Sequence, residues 1–217
     1  MRVLVACEES QVVTEAFRAR GHEAYSCDIQ HCALYGHLEW HIVEDARAII
    51  NGNCVFLTVD GQKHKIDGPW DLLIAHPPCT YLTSSSAVRL FNADHTVKDP
   101  ARMEKGQAAR QFFLDCLGAN AKKICVENPT PLSCFGLPPY SQIIEPWMFG
   151  EPWRKRTCLW LRGLDLLRPT ETVTPRGLWV GSSSKRDSAY ELKANRDAKI
   201  RSKTFPGVAR AMAEQWG

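Results

Sequence analysis

Residues 2–28, with the sequence RVLVACEESQVVTEAFRARGHEAYSCD, decide the fold of this chain. Arg2–Ala6 is short, apolar and rich in β-branched residues, which predicts a buried strand. After a turn, apolar residues recur at helical spacing until Gly21, a residue typical of helix ends. Residues 23–27 predict a second short strand, and Asp28 follows it directly. A strand, a turn, a helix and a strand with an acid at its tip form the first half of a dinucleotide-type α/β fold.

The rest of the chain continues this alternation. Trp70–Ala75 predicts a core strand that runs directly into His76-Pro77-Pro78-Cys79. Asp99 and Pro100 predict a helix start, because a carboxylate caps the first turn and proline fits the first helical position. Further strands are expected at 41–43, 123–126 and 157–161, and a closing helix at 207–216. Strands alternating with helices predict a doubly wound, mostly parallel, Rossmann-like α/β sheet in one domain spanning residues 1–217.

One segment departs from the alternation of strands and helices. Residues 55–59 and 62–66 flank Asp60-Gly61, a dipeptide typical of a two-residue type I′ turn. They predict a β-hairpin inserted at the surface.

Composition and charge are those of an ordinary globular domain. The 217 residues are 44% hydrophobic and 24% charged, enough to bury one core. The net charge of +3 does not by itself indicate a nucleic-acid partner. Residues 176–203, however, hold eight basic and three acidic residues, an excess of +5. We expect this segment to contact phosphates.

Cysteine usage and hydropathy predict a cytoplasmic protein without a membrane partner. The nine cysteines are odd in number and contain no Cys-x-x-Cys pair, which favours reduced thiols. No charged-then-apolar leader opens the chain, and no apolar run is long enough to cross a bilayer. We also expect no metal site, because the spacing of Cys27, His31, Cys32, His37 and His41 matches no standard zinc pattern.

Chemically useful side chains follow the predicted strands. Glu8, Asp28, Asp45, Cys79 and Glu127 all fall at or just after predicted strand ends. Ligands of open α/β sheets bind beyond the carboxyl ends of the strands. The clustering therefore predicts one site at this edge of the sheet.

Two short motifs carry the chemistry. In Pro77-Pro78-Cys79 the prolines fix the backbone, which holds the thiol in one orientation. Glu127-Asn128-Pro129 places a carboxyl group at a strand end. Taken alone, the cysteine fits a buried structural role as well, and the glutamate fits a surface cap. The two motifs in this order, with a strand–helix–strand unit between them, favour a catalytic pair.

These motifs resemble those of the cytosine-5 DNA methyltransferases. Residues 71–79 are similar to the family's Asp-Leu-Leu run followed by Pro-Pro-Cys, and Glu127-Asn128 to its Glu-Asn dipeptide. Gly150-Glu-Pro152 and the basic residues 153–157 resemble a later Gly-x-Pro and the basic-rich strand after it. The resemblance runs nearly end to end and includes small phage and prophage members, which implies a protein acting in a bacterial host.

The resemblance implies methyl transfer from S-adenosylmethionine to carbon 5 of cytosine in DNA. Cys79 would add to carbon 6 as a thiolate and turn the ring into a nucleophilic enamine. Glu127, protonated because an apolar pocket raises its pKa, would hydrogen-bond ring nitrogen 3. Asn128 would orient the loop. Lys155 aligns with a family arginine that contacts the base carbonyl and the glutamate, although a role as one of several clustered surface cations stays open.

The same resemblance implies a cofactor site. Asp28 is expected to bind ribose hydroxyls and Asp45 the adenine amino group, although both also fit ordinary surface aspartates. The family's first loop is glycine-rich, whereas residues 7–10 contain no glycine. The cofactor residues expected in full are Cys7, Glu8, Ser10, Asp28, Ile29, Asp45, Pro78 and Thr204.

Nucleic-acid contacts are expected from basic residues late in the chain, namely Arg154, Arg156, Lys185, Arg186, Arg196 and Lys199. Only residues 162–201 stand in place of the family's target-recognition region, which predicts little base-edge readout and relaxed sequence specificity. Two alternatives stay open. One is the same chemistry on RNA, single-stranded DNA or a free pyrimidine nucleotide; the other is a non-catalytic nucleic-acid-binding phage decoy.

Overall fold

The computed structural model describes residues 1–33, 36–175, 180 and 201–217. The expected nucleic-acid contacts Lys185, Arg186, Arg196 and Lys199 lie outside the described residues. Within them the strands are β1 (Arg2–Ala6), β2 (Glu23–Asp28), β3 (His41–Val43), β4 (Cys54–Leu57), β5 (Lys63–Ile66), β6 (Trp70–Ala75), β7 (Ala121–Asn128), β8 (Gln142–Ile144) and β9 (Thr157–Arg162). The helices are α1 (Val12–Ala19), α2 (Ala87–Leu90), α3 (Pro100–Leu117) and α4 (Pro206–Trp216).

Seven strands form one mixed sheet in the order β3-β2-β1-β6-β7-β9-β8. β1 pairs in parallel with β2 and β6, and β7 extends the parallel part beyond β6. β9 runs antiparallel to both β7 and β8. The predicted mostly parallel α/β sheet is therefore confirmed. With the β4–β5 hairpin set aside, the first five strands follow the 3-2-1-4-5 order of dinucleotide-binding folds, so β1 and β6 flank the point where the strand order reverses.

Both faces of the sheet are buried, because successive side chains of a strand point to opposite sides. One face packs Leu4, Leu73 and Ile124 with Phe113 of α3. The other face packs Val5, Leu72 and Cys125 with Phe17 of α1 and Met212 of α4. Burying each large apolar side chain stabilises the fold by roughly 1.5–3 kcal/mol. Helices thus cover both faces of the sheet. The carboxyl ends of the strands are left to form a site.

Helix α3 begins and packs as its sequence predicts. The Asp99 carboxylate accepts a hydrogen bond from the Arg102 amide at 2.9 Å, and Pro100 occupies the first turn. Gly106 lies against Phe135, so that a Cβ atom there would come within 2.2 Å of the ring. A larger residue at position 106 would push α3 away from its neighbour.

The predicted hairpin is confirmed, but its predicted turn is wrong. A type I′ turn needs positive φ at both central residues. Gly61 has φ 86°, whereas Asp60 is not among the described residues with positive φ. The connection is a five-residue loop, residues 58–62, closed by the Thr58 amide donating to the Gln62 carbonyl at 3.0 Å. Asp60 accepts a hydrogen bond from the Thr58 hydroxyl at 2.6 Å, which holds the loop in this form.

All nine cysteines are free thiols, and five of them are buried.

Among the described helices, none combines the length and apolar character that crossing a membrane requires.

Candidate functional site

A cleft of about 860 Å³ lies at the carboxyl ends of β1, β2, β6 and β7. Its volume is within the range of small-molecule and cofactor sites. Cys79, Glu127, Asn128 and Lys155, the four residues predicted to be catalytic, all line it. These four residues, up to 76 positions apart in sequence, meet here because β6 and β7 end and the antiparallel β9 begins at the same edge of the sheet.

The chain around Cys79 is fixed on both sides. The His76 amide donates to the Ala6 carbonyl at 2.9 Å, continuing the β1–β6 pairing beyond the strand ends. The Asn128 amide nitrogen Nδ2 donates to the Pro77 carbonyl at 2.9 Å, which links the Glu-Asn and Pro-Pro-Cys motifs directly. The amides of Leu82 and Thr83 donate to the Cys79 carbonyl at 3.0 and 3.1 Å. The partly exposed thiol is thus held in one place.

The Cys79 thiol is protonated in the resting site. Burial raises its pKa, and the negative charge of Glu127 raises it further. Lys155 and Arg201 lower it but do not outweigh these two effects. Forming the reactive thiolate therefore requires that Glu127 be neutralised or that more positive charge enter the cleft.

Glu127 forms an ion pair with His76 across neighbouring strands. Their Oε2 and Nδ1 atoms are 2.7 Å apart, and the side chains are only 13% and 14% exposed. Burial alone would raise the pKa of Glu127, but His76 and Lys155 outweigh it and hold that pKa below its usual value. The raised pKa predicted for Glu127 is therefore wrong for the resting site. The sequence pattern did not show that His76, 51 positions away, supplies a cation.

Two buried polar atoms at this point have no hydrogen-bond partner among the described residues. They are Nε2 of His76 and Oδ1 of Asn128. An unpaired buried polar atom costs roughly 1–3 kcal/mol, so such atoms in a cleft mark places where a ligand or water completes the bonding.

The first loop adopts glycine-like conformations without glycine. Cys7 and Gln11 have φ of 61° and 60°, in the left-handed region that non-glycine residues rarely occupy. The Gln11 side chain is held by Ser26 at 3.1 Å and by both backbone groups of His37, at 2.9 and 2.7 Å. These bonds offset a strain of about 1–3 kcal/mol per residue. The loop therefore keeps the sharp turn that glycines usually permit.

Glu8 occupies the N-terminus of α1. Its buried carboxyl group accepts hydrogen bonds from the Val13 amide at 2.6 Å, the Thr14 amide at 3.2 Å and the Thr14 hydroxyl at 2.6 Å. Burial raises the pKa of Glu8, while His76 and these hydrogen bonds oppose the rise. Dinucleotide-binding folds place a pyrophosphate at this helix end. The Glu8 carboxyl group already uses those amides, so the loop disfavours a phosphate-bearing cofactor.

Most predicted cofactor residues line the cleft, namely Cys7, Glu8, Ser10, Asp28, Pro78 and Thr204. Two do not. Ile29 is 76% exposed beyond the tip of β2, and the Asp45 carboxylate pairs with Arg47 at 2.9 Å. A cofactor that reached Asp45 would have to displace this pair, and the roles of both residues stay predictions.

The cleft is more basic than the sequence pattern indicated. Of the two predicted arginines in the described part, Arg156 lines the cleft and Arg154 does not. Sequence reasoning missed His76, Arg89 and Arg102 as lining residues. Nη2 of Arg102 donates to the Thr80 carbonyl at 2.8 Å, next to Cys79 in the chain. His76 directly precedes the Pro-Pro-Cys motif, whereas no motif in the sequence marked Arg89 or Arg102.

The cleft is lined by side chains of both charges. Its acidic residues are Glu8 and Glu9, which follow β1, Asp28, which ends β2, and Glu127 on β7. Its basic residues are Arg89, Arg102, Lys155, Arg156, Arg201 and Lys203. The lining can therefore contact both cationic and anionic groups of a ligand.

Comparison with known protein families finds no matching family, and a search of curated proteins finds no match either. In the described part of the chain, no group of three or more histidine, cysteine or acidic side chains is arranged to hold a metal ion.

Proposed function

We propose that this chain is an S-adenosylmethionine-dependent methyltransferase that methylates carbon 5 of cytosine in DNA through a covalent bond to Cys79. The observation that carries the proposal is the position of Cys79 and Glu127 in one cleft, whose lining also holds acidic and basic side chains. A cationic cofactor and an anionic substrate would meet at these two residues. The resemblance of residues 71–79 and 127–128 to cytosine-5 methyltransferases supports the same chemistry.

The acidic residues of the cleft fit this cofactor. S-adenosylmethionine carries a sulfonium, an ammonium and a carboxylate group but no phosphate, so the Glu8 carboxyl group at the N-terminus of α1 does not take the place of a cofactor phosphate. Asp28 ends β2 and lines the cleft, the position from which dinucleotide folds bind ribose hydroxyls. When bound, S-adenosylmethionine supplies an electrophilic methyl group. Glu8 and Glu9 provide negative charge near the adjoining strand end, which favours its two cationic groups.

Cys79 acts as the nucleophile. The thiolate adds to carbon 6 of the ring, and the carbon 5–carbon 6 double bond opens, which makes carbon 5 nucleophilic. Lys155 and Arg201 favour the thiolate electrostatically. The fixed backbone around Pro77 and Pro78 presents the sulfur in one direction, which removes much of the orientational cost of the addition.

Glu127 acts as the proton donor to ring nitrogen 3. Charge builds on that nitrogen as the sulfur adds, so a nearby acid stabilises the transition state. Asn128, the neighbour of Glu127, donates a hydrogen bond to the Pro77 carbonyl and so holds Glu127 close to the loop of Cys79.

The basic residues of the cleft fit the phosphates of a polynucleotide. Arg89 and Arg102 come from the segment after Cys79, and Lys155 and Arg156 from the residues before β9. Cations from separate segments thus surround the nucleophile. Each phosphate that they neutralise contributes favourable free energy by releasing counterions.

The test is methylation by the purified chain of duplex DNA, single-stranded DNA, RNA and free cytidine nucleotides, read as 5-methylcytosine by mass spectrometry. We expect methylated DNA from the wild type and none from Cys79→Ser. Methylation of RNA or nucleotides alone would replace DNA as the substrate. DNA binding without methylation of any pyrimidine would favour a non-catalytic protein instead.

A further inference from the structure

His76 has no place in the chemistry described so far, yet it contacts the proton donor directly. Its Nδ1 is 2.7 Å from Glu127 Oε2, and its backbone amide is fixed to Ala6. His76 also lines the cleft that holds Cys79.

A second buried histidine shows what a structural role looks like in this chain. His41 has both ring nitrogens bonded, Nδ1 to the Ser26 hydroxyl and Nε2 to the Gln30 carbonyl, each at 2.8 Å. In His76 one ring nitrogen meets a carboxylate, and the other has no partner among the described residues. Packing and hydrogen bonding thus account for His41 but not for His76.

We propose that His76 is a positioning residue that stores the proton which Glu127 passes to the substrate. This inference rests on the proposed methyl transfer. In the resting site the proton is on His76 Nδ1, and Glu127 is the carboxylate. During the reaction this proton crosses the 2.7 Å hydrogen bond from His76 to Glu127, which leaves a neutral imidazole and a neutral carboxylic acid.

In the addition step each proton and each electron pair then has a source and a destination. Cys79, having lost its proton to solvent, enters as the thiolate, and its electron pair forms the bond to carbon 6. The electrons of the carbon 5–carbon 6 bond shift through carbon 4 to ring nitrogen 3, which takes the proton from Glu127. After carbon 5 has taken the methyl group, solvent water removes the proton of carbon 5, whose electron pair re-forms the carbon 5–carbon 6 double bond and expels the sulfur as the thiolate. The proton on ring nitrogen 3 then returns through Glu127 to His76. The thiolate and the stored proton are both regenerated.

The surrounding charges support a proton stored on His76. Burial alone would lower the pKa of His76, but Glu127 and, more weakly, Glu8 raise it above its usual value. Lys155 opposes this rise without cancelling it. The charged groups acting on the imidazole are thus two acids, after β1 and on β7, and one cation, before β9.

His76→Gln tests the proposal, because glutamine keeps an N–H donor for Glu127 but cannot carry a proton. We expect single-turnover methylation by this variant to be about 100-fold slower than wild type near pH 7, at the lower end of acid–base contributions. The deficit shrinks as pH falls toward the usual glutamate pKa of about 4.3, because Glu127 then takes up its own proton from solvent. Cofactor affinity stays unchanged. The matched control is His64→Gln, a histidine of the hairpin outside the cleft lining, with a wild-type rate at every pH.

A rate ratio between wild type and His76→Gln that does not change with pH would overturn the stored-proton role while leaving the methyltransferase proposal standing. Absence of methylation by the wild type would overturn both. Should His76→Gln not fold, NMR titration of the wild-type imidazole decides. His76 must titrate above the usual histidine pKa and fall back in Glu127→Gln; a histidine that stays neutral at pH 7 has no proton to give.

Discussion

His76 and Glu127 face each other across β6 and β7 with their Nδ1 and Oε2 atoms 2.7 Å apart. Within the described residues, theirs is the ion pair in which both side chains are least exposed. Two buried groups that stabilise each other's charge make the site sensitive to pH from both directions.

The first prediction concerns stability against pH. The pKa of His76 is raised and that of Glu127 is lowered by folding. The pair therefore stabilises the fold most between about pH 4.3 and pH 6.5, the usual values of the two groups. Its contribution is lost as pH falls through the lowered Glu127 pKa and as pH rises through the raised His76 pKa.

Urea unfolding near pH 6 and near pH 9 measures this contribution. Between these values, we expect wild type to lose more stability than Glu127→Gln, because the Glu127 carboxylate raises the pKa of His76 and this contribution is lost as His76 deprotonates. Parallel pH profiles for the two proteins would show that the pair does not stabilise the fold.

The second prediction concerns the strained first loop. A protein with alanine at a given position is usually more stable than one with glycine there. At Cys7 the φ of 61° should reverse that order. We expect Cys7→Gly to be more stable than Cys7→Ala by about 1 kcal/mol, as measured by thermal unfolding. The same two substitutions at Cys134, which has no positive φ, serve as the control and should keep alanine more stable. If the alanine variant were more stable than the glycine variant at position 7 as well as at position 134, position 7 would carry no backbone strain.

The third prediction concerns the cofactor. Asp28→Ala removes a carboxylate that lines the cleft and should weaken S-adenosylmethionine binding by roughly 1.5–3 kcal/mol in calorimetry. Asp45→Ala should weaken it less, because that carboxylate is paired with Arg47 away from the cleft lining. An affinity that depends on Asp45 but not on Asp28 would place the cofactor elsewhere.

The fourth prediction concerns salt. Replacing Arg89 and Arg156 by alanine should flatten the log–log salt dependence of duplex DNA binding by about 1.8, at about 0.9 per phosphate contact. Cofactor affinity should not change. The matched control removes two exposed charges from the hairpin, as Lys63→Ala with Lys65→Ala, and should leave the slope unaltered. If both double variants reduced the slope equally, DNA would not be bound through the cleft.

Sequence periodicity was sufficient to predict the sheet and to predict that Cys79, Glu127 and Asn128 lie in one site. Apolar strands and the positions where they end are encoded in the local sequence. It missed β8, a three-residue strand at the edge of the sheet. It also misjudged the turn at Asp60, where a side-chain hydrogen bond decides the backbone conformation.

The electrostatics of the site could not be predicted from the sequence in the same way. A pKa depends on which charges surround a group in space, and the partner of Glu127 comes from another strand. For the same reason the sequence did not predict that Arg89 and Arg102 line the same cleft as Cys79.

The central claim is the covalent bond between Cys79 and a pyrimidine, and trapping that bond tests it most directly. DNA containing 5-fluorocytosine is incubated with the chain and S-adenosylmethionine, and the protein is digested and mapped by mass spectrometry. Fluorine cannot leave as the proton on carbon 5 does, so the adduct should persist. We predict one adduct, on the peptide that contains Cys79, absent from Cys79→Ser and retained by Cys134→Ser, a substitution of the exposed cysteine. An adduct on another cysteine, or cytosine methylation by Cys79→Ser at the wild-type rate, would contradict the account.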